Sequence, residues 1–178
     1  MIHLWHDIPL GKAAPKQVHA VIEIPMGSRC KYELDKHTGI IKVDRIIASA
    51  VYYPGNYGFL PQTLGADGDP LDVLVVSQIA FHPGIFLETV PIGGVHMIDG
   101  HDVDDKIICV PSNDPKFREI TELHQLPKNT RAEIEEFFRV YKNLEGKKVH
   151  IKGSFGRAVA YTIITKAIAQ YKKRAPRF

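Results

Sequence analysis

The chain lacks any apolar run approaching the roughly 18 residues of a membrane-spanning helix. Its composition is otherwise that of an ordinary folded protein, 44% hydrophobic and 24% charged. Cysteine is nearly absent. Cys30 and Cys109 are too few to make a zinc site alone, and they sit in unrelated strand-like contexts. His3, His6 and Asp7 interrupt the N-terminal stretch where a secretory signal needs apolar residues, so a disulfide is not expected and the compartment reads as cytoplasmic. The nine histidines show no ligand spacing such as H-E-x-x-H, and His96 and His101 read as peripheral. A P-loop and a G-x-S-x-G elbow are also missing, which disfavours a P-loop enzyme and a serine hydrolase. No repeat, low-complexity tract or linker divides the 178 residues, which suit one domain over 1–178.

One further absence is local. Residues 66–105 contain no Lys or Arg but carry Asp67, Asp69, Asp72, Glu88, Asp99, Asp102, Asp104 and Asp105. That window is therefore −8, and with a chain total of +3 the remainder is +11. The overall excess is too mild to demand a nucleic-acid partner. The acids cluster within Asp67-Gly68-Asp69-Pro70-Leu71-Asp72 and within 99–105. If folding joined the clusters, each carboxylate pair about 5 Å apart would repel by roughly 3 kcal/mol at an effective dielectric near 20. Hard divalent cations such as Mg²⁺ or Ca²⁺, which prefer oxygen ligands, would offset that repulsion. Two solvated acidic loops that never meet are the alternative.

Short strands bounded by turn residues fill the first two thirds. Val18–Ile24 alternates, with Val18, Ala20, Ile22 and Ile24 on one face. Residues 30–35 and 40–47 form a hairpin about His37-Thr38-Gly39, and Arg45 shares the apolar parity of Ile41, Val43 and Ile47. The nearly continuous apolar run 71–76 predicts a strand covered on both sides. Further strands are expected over 90–98, 106–110 and 148–152. Frequent Gly and Pro, without helical crossovers between strands, point to a small closed barrel. Two helices follow. Thr130-Arg131-Ala132-Glu133 fits a capping box, ahead of a stripe of Ile134, Phe137, Phe138, Tyr141 and Leu144 with Lys142 beside it. Tyr161, Ile164, Ile168 and Tyr171 make the second stripe, and Lys172-Lys173-Arg174 complements the dipole at its end.

In the first acidic turn Gly68 permits a tight backbone and Pro70 stiffens it. No bidentate Glu follows where an EF-hand needs one. Asp104 and Lys106 share parity, which would set a metal ligand beside a phosphate-binding ammonium. Tyr52, Tyr53 and Tyr57 lie in a Gly- and Pro-rich turn. They suit a core, a base-stacking platform or hydroxyls that donate to an oxyanion.

Seven patches together resemble the soluble family I inorganic pyrophosphatases of the bacterial type. They are Val21-Ile22-Glu23-Ile24-Pro25, Lys31-Tyr32-Glu33-Leu34-Asp35, Val43-Asp44-Arg45, Tyr53-Pro54-Gly55-Asn56-Tyr57-Gly58, Asp67-Gly68-Asp69-Pro70-Leu71-Asp72-Val73, Asp104-Asp105-Lys106 and Tyr141-Lys142-Asn143-Leu144. The resemblance implies an α+β, mainly β fold: a five-stranded OB-like closed β-barrel flanked by two main α-helices. It also implies Mg²⁺-dependent hydrolysis of pyrophosphate to two phosphates by in-line attack of a metal-bridging water, with Mn²⁺ or Zn²⁺ as substitutes. By the same resemblance Asp67, Asp72 and Asp104 hold the activating metals, and Asp99 with Asp104 a further one. Asp69 is implied as general base, and Glu23 and Glu33 as outer carboxylates that hold metal-bound waters. Lys31, Arg45, Tyr57, Lys106, Tyr141 and Lys142 are implied to grip the phosphoryl units, with Tyr53 in support. The implied assembly is a homohexamer, a trimer of dimers, with no nucleic-acid or membrane partner.

Some positions depart from the family pattern. Gly100 follows Asp99 where many members carry a second acid, so metal binding there is expected to be altered or shared with Asp102. Val90 stands where many bacterial members place Arg. Glu136 and Val140 stand where some have histidines at a subunit contact, which weakens the hexamer. Two other readings compete: an oligonucleotide-binding module with Tyr52, Tyr53 and Tyr57 stacking bases, and a silent Ca²⁺/Mg²⁺-binding structural protein.

Overall fold

The computed structural model describes residues 2–100 and 102–174. Its strands are β1 (Val18–Ile24), β2 (Cys30–Leu34), β3 (Ile41–Ile46), β4 (Asn56–Phe59), β5 (Asp72–Val75), β6 (Phe86–Asp99), β7 (Asp102–Val103), β8 (Lys106–Pro111) and β9 (Val149–Gly156). Helix α1 (Lys128–Val140) precedes β9, and α2 (Arg157–Arg174) follows it without a loop. Hydrogen bonding runs β1-β4-β5-β8-β6, and β6 returns to β1, so five strands close a ring as expected. Closure leaves no free edge within the ring itself. β7 and β9 extend it from β6, while β2 and β3 form a separate two-stranded sheet. His101 lies outside the described residues.

The apolar run at β5 is explained by its two neighbours. Leu74 and Val76 pack into the cluster that includes Phe137, Phe138 and Tyr141 of the α1 side. Val73 and Val75 pack into the cluster of Ala160, Ile164 and Ala167 on α2. β8 divides in the same way, with Ile108 and Val110 on the first side and Ile107 and Cys109 on the second. β5 and β8 run parallel, the pairing whose strands are buried on both faces. β1 departs from simple alternation: Val21 and Glu23 are buried as well as Val18, Ala20, Ile22 and Ile24. Trp5 from the N-terminal segment covers Val21, a tertiary cover that strand periodicity does not register.

β4 occupies the tyrosine- and glycine-rich segment that reads locally as a turn. Gly58 is required there, because a Cβ would lie 1.9 Å from the Val21 carbonyl oxygen on β1. The expected capping box at Thr130 is not formed. α1 starts earlier, at Lys128 behind Pro127, with no side-chain cap, and Pro fits that position because it donates no N–H. Leu144 does not join the apolar stripe but lies beyond the helix, 71% exposed. The α2 stripe is centred on Ala160, Ile164 and Ala167, with Ile168 and Tyr171 only partly buried against the core. Cys30 and Cys109 are both free thiols.

Candidate active site

A cleft of about 520 Å³ opens where the ring meets the β2–β3 hairpin and the end of α1. Asp67, Asp69 and Asp72 enter it from the turn before β5, and Asp99 and Asp104 from the β6–β8 connection. The two acidic clusters therefore converge. Glu23 reaches the cleft from β1, Lys31 and Glu33 from β2, Tyr57 from β4, Lys106 from β8, and Tyr141 with Lys142 from the end of α1. Arg45, Tyr53 and Asp102 are not among the lining residues. Asp102 sits exposed on β7 opposite Asp99, so the structure does not bring it in to compensate for Gly100.

Ammonium groups are interleaved with the carboxylates. Lys106, only 2% exposed, is ion-paired with both Asp72 and Asp104. Lys142 pairs with Asp99, and Lys36 with Asp69. Lys31 lies 3.2 Å from Glu33 and 2.7 Å from Asp44. Among the described residues no three His, Cys, Asp or Glu side chains are gathered into a ready-made metal cage. The acids are instead spaced around the cleft with cationic nitrogens between them. Each ammonium is a stand-in positive charge, and the surrounding donors Asp67, Asp72, Asp99 and Asp104 are all carboxylate oxygens. That donor chemistry fits a hard divalent cation.

The electrostatics follow from burial. Glu23 accepts a hydrogen bond from the Leu34 N–H at 2.7 Å. Its carboxyl is pushed up to about 8 by burial and then by the charge of Asp72. Asp104 is raised to about 6 by burial, with Lys106 opposing and Asp72 reinforcing. Burial would lower the Lys106 ammonium, but Asp72 and Asp104 outweigh it and hold the group protonated. Tyr53, Tyr57 and Tyr141 are raised well above the ordinary phenol range by burial and by nearby carboxylates. They stay neutral O–H donors near pH 7. Tyr53 and Tyr57 are buried in the core cluster while Tyr52 is exposed, which removes the three-tyrosine stacking platform.

A family model described as inorganic pyrophosphatase matches residues 20–172. The chain belongs to the inorganic pyrophosphatase family. It is 47% identical to soluble inorganic pyrophosphatase 2 of Chlamydomonas reinhardtii over 171 residues, 96% of this chain and 89% of the relative. It is 44% identical to the inorganic pyrophosphatase of Picrophilus torridus over 169 residues, 95% of this chain and 96% of the relative. The crystal structure of the Thermus thermophilus inorganic pyrophosphatase matches with a TM-score of 0.92 at 41% identity, covering 96% of this chain and 99% of that one. The enzyme is thus a hydrolase of the diphosphate bond, in a family that depends on metal ions. No helix among its described residues is long and apolar enough to cross a membrane.

Sequence reasoning missed Lys36, which contacts Asp69 from the hairpin turn, and Glu145, which holds Arg45. Neither shares parity or spacing with the groups it touches, so only the tertiary fold reveals them. Val90 packs against the apolar cluster on the α1 side, a contact in place of the arginine many bacterial members carry. Glu136 pairs with Arg139 on the exposed face of α1.

Proposed function

We propose that the enzyme hydrolyses inorganic pyrophosphate to two phosphates in a Mg²⁺-dependent reaction, with Asp69 as general base. The observation that carries this reading is the convergence of both acidic turns, with lysine ammoniums interleaved among them and two tyrosines beside them, on one cleft of about 520 Å³. Asp67, Asp72 and Asp104 would hold the activating cations and Asp99 would share a further one, with Glu23 and Glu33 in an outer ring. Held there, divalent cations would offset the charge of the polyanionic substrate and would lower the pKa of a water molecule.

The chain's own groups supply the rest. Asp69 accepts the proton of the attacking water as the new P–O bond forms and the bridging P–O bond breaks, its electron pair leaving with the second phosphate. Its position is held by its own backbone N–H, which donates to Asp67 Oδ1 at 3.0 Å, and by Lys36. Lys31, Lys106 and Lys142 bring positive charge to the phosphoryl oxygens. Tyr57 and Tyr141 donate neutral hydrogen bonds there, and Tyr53 supports them by packing 5.3 Å from Tyr57 between ring centroids. Such preorganised donors stabilise the charge that develops on the leaving phosphate, the dominant contribution in phosphoryl transfer. Arg45 joins this wall from its edge.

Phosphate release from magnesium pyrophosphate tests the reading, with Asp69→Asn as the comparison. A loss of about 10²-fold or more in kcat fits a general base, and unchanged turnover removes Asp69 from that role. We also infer a cytoplasmic homohexamer, a trimer of dimers. Light scattering on the eluted protein should give about six times the 20.0 kDa chain mass.

A further inference from the structure

Arg45 stands at the edge of the phosphate-gripping wall, yet it does not line the cleft. Its guanidinium is occupied elsewhere. Nε donates to Glu145 Oε1 at 3.0 Å and Nη2 lies 2.9 Å from Glu145 Oε2, a bidentate fork. Nη1 donates to Asp44, whose same oxygen accepts from Lys31 at 2.7 Å. Glu145 and Arg45 are both half-buried, with 16% and 30% of their side chains exposed, so solvent screens the pair only in part. The Glu145 carboxylate presents to Arg45 the two-oxygen geometry that a phosphate would present. Both cannot occupy the Nε/Nη2 fork at once.

Glu145 sits on the single 3₁₀ turn Asn143–Glu145 that follows Tyr141 and Lys142. Arg45 is on β3 of the hairpin that also carries Lys31. The pair thus ties two walls of the cleft together at its rim.

We propose that Glu145 is a positioning residue that latches Arg45 away from the cleft and competes with phosphate for its guanidinium, so that it weakens product retention. The inference rests on the reading of Arg45 as a phosphate-binding group. While the latch is closed, Arg45 contributes little to holding phosphate. When a phosphate takes the fork, Glu145 is displaced, and the return of Glu145 helps expel the product. The group works through Arg45 and touches no reacting atom.

Steady-state kinetics with added orthophosphate test this. Glu145→Gln keeps the shape but surrenders the charged fork, so the inhibition constant for phosphate should fall about five- to tenfold and KM should fall with it. Glu145→Asp, one methylene shorter but still charged, should shift both in the same direction by less. In an Arg45→Ala background Glu145→Gln should change neither constant. A merely structural Glu145 would raise KM and the inhibition constant together, and that result, or no change, overturns the latch. Arg45→Ala alone must weaken phosphate inhibition; if it does not, the reading of Arg45 fails and the latch with it. Should Glu145→Gln fail to fold, Glu145→Asp carries the same signs and decides the matter.

Discussion

Replacing Lys106 by methionine removes the most deeply buried cation of the site while keeping most of its apolar stem. Lys106 lies between Asp72 and Asp104 with 2% of its surface exposed. Its loss leaves two mutually repelling carboxylates without their ammonium. Breaking a buried pair by removing one partner costs about 3–5 kcal/mol. Asp72 and Asp104 keep 27% and 16% of their side-chain exposure, so the lower end applies, about 3 kcal/mol. For a chain of this size each kcal/mol moves Tm by about 2–4 °C, which predicts a drop of about 6–12 °C in chelator at neutral pH. A divalent cation that binds those carboxylates should then stabilise the variant more than the wild type, because it restores the missing positive charge as well as binding the native state. Calorimetry of both proteins in chelator and in saturating Mg²⁺ measures the four transitions. A chelated variant within about 2 °C of wild type, or the same Mg²⁺-induced gain in both proteins, would refute the view of Lys106 as an internal counter-ion.

Glu23 gives a pH dependence of definite sign. Its folded pKa of about 8 stands above the ordinary 4.5, so the stability its neutral form confers is full below the unfolded value and is lost as pH rises through the folded one. In chelator, Glu23→Gln should therefore match wild type near pH 4.5 and exceed it in Tm near pH 8, and parallel pH profiles would contradict this. Gly58→Ala places a Cβ where only 1.9 Å separates it from the Val21 carbonyl oxygen; the β1–β4 pairing must shift, at a cost of about 3 kcal/mol or more, read as a lowered denaturation midpoint. Lys36→Ala removes the ammonium from Asp69 and should reduce kcat by a smaller factor than Asp69→Asn, about tenfold or less, while Tm stays near wild type because both side chains are partly solvated.

Much of the site was legible in the primary structure because its chemistry is local in sequence. Asp67, Asp69 and Asp72 occupy one turn, and Asp104 and Lys106 flank one residue, so spacing grouped each set, while the union of the two sets in one site was implied only by the family resemblance. The barrel was legible from strand length, alternation and the missing crossovers. β4 was hidden because Gly58, which strand propensity disfavours, is demanded by the close approach of β1. The start of α1 was misjudged because Thr130 and Glu133 satisfy a cap pattern that the helix, entering earlier through Pro127, has no use for. Lys36 and Glu145 were out of reach for a deeper reason. Arg45 and Glu145 stand 100 residues apart, and a charge on a connecting turn carries no mark of its partner.

The seam between β1 and β6 joins Val18 to Thr89 and Val21 to Phe86. That pairing joins the first strand to one that follows four others in the chain, and contacts so distant in sequence are the slow ones to form. The first acidic turn precedes β6, and Asp99 of the second cluster is the last residue of β6 itself. The strand that closes the ring against β1 is thus the one that delivers Asp99 to the cleft, so barrel closure and the meeting of the two acidic clusters share a single element.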